Sequence, residues 1–338
     1  MDIKIKSKEM RNVMTLESKI FELAKLAKPT VTVIGLGGAG CNIVSWIAQK
    51  GIGGCKTIAA DTDAVHLLTI KSDVKVLMGE KAYMGRGCGG FTERGSEAAR
   101  ESVNDILHEL GGANLVFVIA GLGGGSGTGS APVIAEAVRE TGALTLSCVT
   151  LPFNSEVVRR KKAVSGIKAL AGKCDSVVVI DNSKLRATAG DLPLKEGFAI
   201  VNELVGAFIK NLTETIIQPS LVNLDYSDLR TIMERGGISA IGIGEAEGDK
   251  RIEKAVEQAL STPLLDVVDI TGAYGVLIHI MGGDDMTLGE VMQAGELMLQ
   301  KAPNTGRIIW GAKVDETLAG KVKVTAVLTG VSDPKNIK

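Results

Sequence analysis

Two glycine-rich stretches and one pair of aspartates carry most of the chemistry this sequence can be expected to do. The first stretch, Gly35-Leu-Gly37-Gly38-Ala39-Gly40, has GxGxxG spacing between a short apolar run and a helical pattern, with Asp61 about twenty residues on. That context fits bare backbone approaching a pyrophosphate, as in a dinucleotide-binding half. The second, Gly121 to Gly129, is mostly glycine, and its other polar members are the hydroxyls Ser126 and Thr128. Consecutive N–H groups there can wrap an anion while the following helix directs its positive end at it. No lysine lies in the loop, so it is not a Walker A cradle. Glycine costs more chain entropy than any other residue on folding, which argues against a mere connection. Two anion loops on neighbouring strand ends predict one polyphosphate held between them. Asp225 and Asp228, three residues apart, read on their own as a helix N-cap and a first-turn carboxylate.

The elements that must position these groups follow from periodicity. Short apolar runs at 30–34, 57–60, 115–120, 144–150 and 176–180 alternate with helical patterns at 42–49, 97–110, 131–140 and 157–170. Such alternation predicts βαβ units, a parallel sheet covered on both faces, and ligands outside the carboxyl ends of its strands. A long helix over about 194–215 follows, with Pro219 at its limit. Beyond it, strands at 240–243, 274–280, 308–312 and 322–328, with helices at 251–260 and 288–301, predict a second, smaller α/β domain. The expected division is a helical extension over 1–29, a binding domain over 30–193 and a connecting helix over 194–220. A C-terminal domain over 221–330 and a short tail over 331–338 complete it.

Composition narrows the class. Hydrophobic residues are 45% and charged residues 23% of the 338, which excludes intrinsic disorder. The formal charge of −1 gives no field that would draw the chain to nucleic acid. Five scattered cysteines and three histidines argue against both a disulfide framework and a zinc site. No apolar run approaches the ~18–20 residues that span a bilayer, so a cytoplasmic location is expected.

The run Ala120 to Pro132 resembles the signature of the tubulin/FtsZ superfamily, in its FtsZ branch. Gly37-Gly38-Ala39-Gly40-Cys41-Asn42 is similar to that family's opening phosphate loop. Pro152-Phe153, Asn223-Leu224-Asp225-Tyr226-Ser227-Asp228 and Ile309-Trp310-Gly311-Ala312 follow in the family's order. The resemblance implies GTP and GDP as ligands, magnesium as cofactor, and head-to-tail filaments of this chain, with cell division as their use. It implies that Gly123, Gly124, Gly125, Ser126, Gly127, Thr128 and Gly129 hold the phosphates, with the Gly37–Asn42 loop across from them. Glu156 and Arg160 match residues at the ribose and phosphates. Asn182 matches the base-contacting Asn, Phe198 lies against the base, and Asn202 faces its edge where the family commonly carries Asp. Asp225 and Asp228 resemble the acidic loop that enters the next subunit's site to orient the attacking water, with Asn223 holding the loop.

The sequence also departs from the family pattern. Ser126 stands where Thr is usual, and Asp61 stands where Asn is frequent, from which it is expected to assist magnesium through water. Gly85 to Gly95 carries Phe91 and Thr92 where small and amide residues are expected in a γ-phosphate-sensing loop. The family usually continues past the last strand to a peptide for membrane-anchoring or division partners, and the residues up to Lys338 are not expected to include it. The competing readings are an NAD-dependent oxidoreductase, resting on GxGxxG and Asp61, and a nucleotide-binding filament protein with little hydrolysis, resting on the 85–95 loop.

Overall fold

The computed structural model describes residues 28–184, 193–217, 222, 224–234, 236–261, 270 and 272–332. The expected N-terminal helix, Asn223 and most of the short tail lie outside the described residues. Six strands, β1 (Val31–Leu36), β2 (Cys55–Asp61), β3 (Val74–Leu77), β4 (Leu115–Gly121), β5 (Leu144–Leu151) and β6 (Ser176–Asp181), pair in parallel in the order 3-2-1-4-5-6. The order reverses between β1 and β4, so the crevice beyond their carboxyl ends is where this topology binds ligands. Both glycine stretches leave the sheet there.

Strand alternation fixes what covers each face. Val33, Phe117 and Ile119 point into a cluster with α1 (Gly37–Lys50) and α7 (Leu194–Ile217). Ile34, Val116 and Val118 point the other way, against α4 (Thr92–Leu110), α5 (Ser126–Glu140) and α6 (Val157–Leu170). The short helices α2 (Ala64–Thr69) and α3 (Glu80–Tyr83) flank β3.

The C-terminal part continues the same sheet. β7 (Gly237–Glu247) pairs in parallel with β6 through three residues of each strand. β10 (Lys321–Ser332) then lies antiparallel between β7 and β8 (Gly275–Gly282), and β9 (Arg307–Val314) closes the edge. Helices α8 (Tyr226–Met233), α9 (Arg251–Leu260) and α10 (Leu288–Lys301) accompany these strands. The 24 residues of α7 span about 36 Å. Val201, Val205 and Phe208 share one cluster with Phe117 of the first half and with Leu277 and Val327 of the second. The long helix therefore joins the two halves by burial as well as by connection.

Three helices start earlier than the spacing predicts. α1 begins at Gly37 rather than Asn42, α4 at Thr92 rather than Glu97, and α5 at Ser126 rather than Ala131. Glycine costs about 1 kcal/mol inside a helix, which makes these turns look like loop. Packing overrides that cost. A Cβ on Gly40 would fall on the Ile119 carbonyl, and one on Gly129 would fall on the Thr92 carbonyl. α1 and α5 can lie where they do only because Gly40 and Gly129 carry no side chain at these contacts.

The Gly40→Ala variant is expected to lose about 1–3 kcal/mol through overpacking of α1 on β4. A thermal melt checks this; an unchanged Tm would mean that α1 is not seated against that strand.

Candidate functional site

The two glycine loops meet backbone to backbone. Gly37 has φ +67, and a Cβ there would lie 2.7 Å from the Gly127 nitrogen. Gly127 in turn leaves no room against the carbonyls of Gly121 and Leu36, at 2.8 and 3.1 Å. Thr128 Oγ1 accepts from Gly123 N at 2.8 Å and pins the loop's entry to α5. Ser126 Oγ lies 2.7 Å from Thr62 Oγ1, which fixes the loop laterally. Neither α1 nor α5 has a side-chain cap or an acidic residue in its first turn. Their first N–H groups therefore lack the usual side-chain acceptors and converge on one crevice, an arrangement that suits an anionic group.

Cys41, near the start of α1, is fully buried. Its thiol donates to the carbonyls of Gly35 and Ala60, and burial, reinforced by Asp61, pushes it well above the usual thiol range. Asp61 is only 3% exposed, and both its oxygens are engaged. Oδ1 accepts from Thr62 N at 2.7 Å, and Oδ2 accepts from His66 Nδ1 at 3.0 Å. His66 Nε2 lies 3.2 Å from Oδ1 of Asn42. His66 was not singled out in the sequence; its place five residues after Asp61, at the start of a helix, was the available signal. Among the described residues, no cluster of three or more His, Cys, Asp or Glu forms a metal site. The acid on which the dinucleotide reading rests is thus turned inward, onto a histidine.

Beside the cradle, Glu156 stands at the N-cap position of α6 without a side-chain capping bond. Its carboxylate accepts from Phe153 N at 3.2 Å and from Arg159 at 2.8 Å. Arg160 points the other way: Nη1 and Nη2 donate to Asp181 at 3.1 and 2.7 Å, and Nη1 also donates to the Pro152 carbonyl. Burial alone would push the Asp181 carboxyl up, but Arg160 and the Ser183 amide outweigh it and hold it below the usual carboxylate range. The next residue, Asn182, has its Oδ1 buried with no partner among the described residues. A buried amide oxygen left without a donor is costly, and guanine offers donors of the matching kind. Across from it on α7, Phe198 packs edge-on to Phe153 with centroids 5.9 Å apart and remains 41% exposed. Asn202, one turn along, is half-buried on the same helix.

Asp225 and Asp228 lie elsewhere. They form a reciprocal capping box on α8, with Asp228 N donating to Asp225 Oδ1 at 2.8 Å and Asp225 N donating to Asp228 Oδ2 at 3.3 Å. Tyr226 Oη donates to the Asn114 carbonyl at 2.7 Å, and Arg230 donates to the Gly142 carbonyl at 3.2 Å. Asn114 and Gly142 precede β4 and β5, so α8 docks on the amino edge of the sheet. The glycine loops leave its carboxyl edge, a strand of seven residues away, or about 23 Å. Within one chain the acids and the cradle cannot meet.

This sheet order, with paired anion loops at its switch point and a long bridging helix, defines a tubulin-like nucleotide-binding protein. The family comparisons agree. The tubulin/FtsZ family GTPase domain matches residues 30–190, and the FtsZ family C-terminal domain matches residues 237–332. The cell division protein FtsZ of Haloferax mediterranei is 43% identical over 94% of this chain and 85% of its own length. The structure of an empty FtsZ dimer from M. jannaschii aligns with a TM-score of 0.85 at 43% identity, over 94% of this chain and 92% of that one. A GTPgS-bound protofilament of CetZ2 from Haloferax volcanii aligns at 0.77 and 25% identity, over 90% and 93%. The chain belongs to the FtsZ family and is a GTPase that binds GTP and GDP. That assignment removes the oxidoreductase reading. No helix among the described residues is long and apolar enough to cross a membrane.

Replacing Arg160 with Met strands the Asp181 carboxylate, which is almost fully buried while its partner is 20% exposed. The expected loss is about 2–3 kcal/mol at pH 7, less than the ~3–5 of a fully buried pair. Because the folded-state pKa of Asp181 is depressed, its contribution is present above the unfolded value near 3.9 and lost as pH falls through the folded one. Urea titrations should therefore show the gap between variant and wild type closing below about pH 4.

Proposed function

We propose that this chain polymerises head to tail, binding GTP between its two glycine loops while the Asp225–Asp228 turn of the next molecule completes the hydrolytic site. The observation that carries this reading is the opposition of the two half-sites across the sheet. A translation of one molecule along the strand direction brings the acidic turn of one copy to the phosphate end of another. The dimer and protofilament forms of the related proteins support self-association of this kind.

In this reading Gly37 to Asn42 and Gly123 to Gly129 cradle the phosphates, and Glu156 and Arg160 border the ribose. Arg160 shares its guanidinium between Asp181 and the nucleotide. The orphaned Asn182 oxygen and the Asn202 amide select guanine, whose N1–H and N2–H₂ are donors, and Phe198 covers the base face. Magnesium would be held chiefly by phosphate oxygens and water and would offset charge developing on the γ-phosphate, with Asp61, already bonded to Thr62 and His66, able to act on it only through water. Asp225 and Asp228 orient and polarise the attacking water, and Asn223 holds their loop. Loss of the γ-phosphate weakens the contact between subunits. The names of the relatives support a role in cell division, and a cytoplasmic place at the division site, with membrane-anchoring or division proteins as further partners, goes with that role.

Asn is as good an N-cap as Asp, so Asp225→Asn and Asp228→Asn separate chemistry from folding. Both variants should bind GTP and sediment as polymer while turnover falls roughly 10²–10⁴-fold, the size of a lost water-positioning group. Wild-type turnover per molecule should rise with protein concentration. A rate per molecule that does not change on dilution to monomers would end the shared-site proposal. Asn182→Ala is expected to weaken GTP by about 1–3 kcal/mol in a displacement titration while leaving ATP binding unchanged.

A further inference from the structure

On the sheet face away from α7, a cleft of about 810 Å3 opens between α4, α5 and α6. Its floor is the first turns of α5, directly behind the phosphate loop, and its upper wall is the atypical Gly90–Phe91 segment. Four cations line it and one acid, Glu93, does. Lys161 and Lys162 stand at the phosphate-loop end, where Lys162 Nζ donates to the Gly90 carbonyl at 3.0 Å. Arg100 and Lys173 stand at the far end, where Lys173 reaches Glu136 of α5 at 2.7 Å. That pair is partly exposed, so it is weak enough to exchange for a better partner. Arg100 and the Lys161 ammonium have no partner among the described residues. Val133 lies between the two charged ends, and Phe91, 55% exposed with the Arg94 guanidinium 4.7 Å from its ring centroid, borders the phosphate-loop end.

The length decides what fits. From Thr92 to Arg100 the α4 wall rises through eight helical steps, about 12 Å. A single phosphate would engage one end only. An extended chain covers that distance with about four residues. We propose that this cleft docks an acidic segment of a partner polypeptide, with carboxylates at the two charged ends and one apolar side chain against Val133 between them. The cleft shares Thr128 and Gly129 with the phosphate loop but is lined by no residue of the Gly37–Asn42 loop, and the proposal does not depend on head-to-tail assembly.

The test is an unbiased selection of random peptides displayed on phage against the GDP-bound protein, with the double variant R100E/K161E as the counter-target. Both positions lie outside the phosphate cradle, and the variant should melt and bind GTP like the wild type. Enriched peptides should carry acidic residues on both sides of an apolar one. A synthetic copy should bind the wild type by fluorescence anisotropy, lose roughly tenfold or more on the double variant, and weaken with salt. Arg100→Gln alone should shift affinity in the same direction, which keeps the test independent of the charge reversal. Failure to enrich any peptide, enrichment of neutral or basic ones, equal binding to the variant, or displacement by GTP would each overturn the proposal. Vesicles containing phosphatidylserine that bind the wild type and not the variant, with no peptide enriched, would overturn it in favour of a membrane surface.

Discussion

The contact between Gly37 and Gly127 constrains everything else in this molecule. Two loops from strands neighbouring at the switch point touch main chain to main chain, with no volume for a side chain on either. That closeness lets the amino ends of α1 and α5 converge on a single crevice rather than open onto two. It also explains the order of the surrounding strands. Only adjacent parallel strands whose crossovers leave in opposite directions deliver two helix starts to one crevice without a third element between them. The same demand recurs at Gly40 and Gly129, where α1 and α5 lie against backbone carbonyls. Glycine here is a packing requirement as much as a conformational one.

A parallel sheet has direction, and the molecule uses both of its ends. All six strands of the first half deliver their loops to the carboxyl edge, where the two glycine loops lie. The amino edge would be left plain, but α8 is held there by Tyr226 on Asn114 and Arg230 on Gly142. The opposition of cradle and acids follows from those two hydrogen bonds and the seven residues of β4. The central helix then ties the geometry together, since α7 shares one apolar cluster with strands of both halves. Displacement of that helix would disturb Phe198 and Asn202 at one end while moving the sheet that carries the C-terminal strands at the other.

Much of this was legible in the residues. The glycine loops, the parallel alternation and the long helix came from spacing alone, because each obeys a simple periodicity or a steric demand. What stayed hidden was held by tertiary contacts. The short elements β3, α2 and α3 carry too few residues for a period to register. The early starts of α1, α4 and α5 were masked by glycine and by Thr92, whose helical placement depends on neighbours far away in sequence. His66 was passed over because a lone histidine has no local signature; only folding brings it between Asp61 and Asn42. The inward turn of Asp61 was equally invisible, since a strand-end acid reads the same whether it faces ligand or core.

The capping box on α8 bears on whether Asp225 and Asp228 are free to do chemistry. Capping residues are ordinarily the bland explanation of two acids at this spacing, and here that explanation is geometrically true. Yet each cap consumes one oxygen. Asp225 uses Oδ1 toward Asp228 N, and Asp228 uses Oδ2 toward Asp225 N, which leaves the second oxygen of each carboxylate without a bond among the described residues. Both are held in fixed rotamers by the very bonds that cap the helix, at an exposed edge where only solvent or another molecule can reach them. A loose carboxylate would have to be ordered when a partner arrived, at an entropic cost. The cap therefore makes the pair a better candidate for orienting a water on a neighbouring molecule, because structural and catalytic demands fall on different oxygens of the same groups.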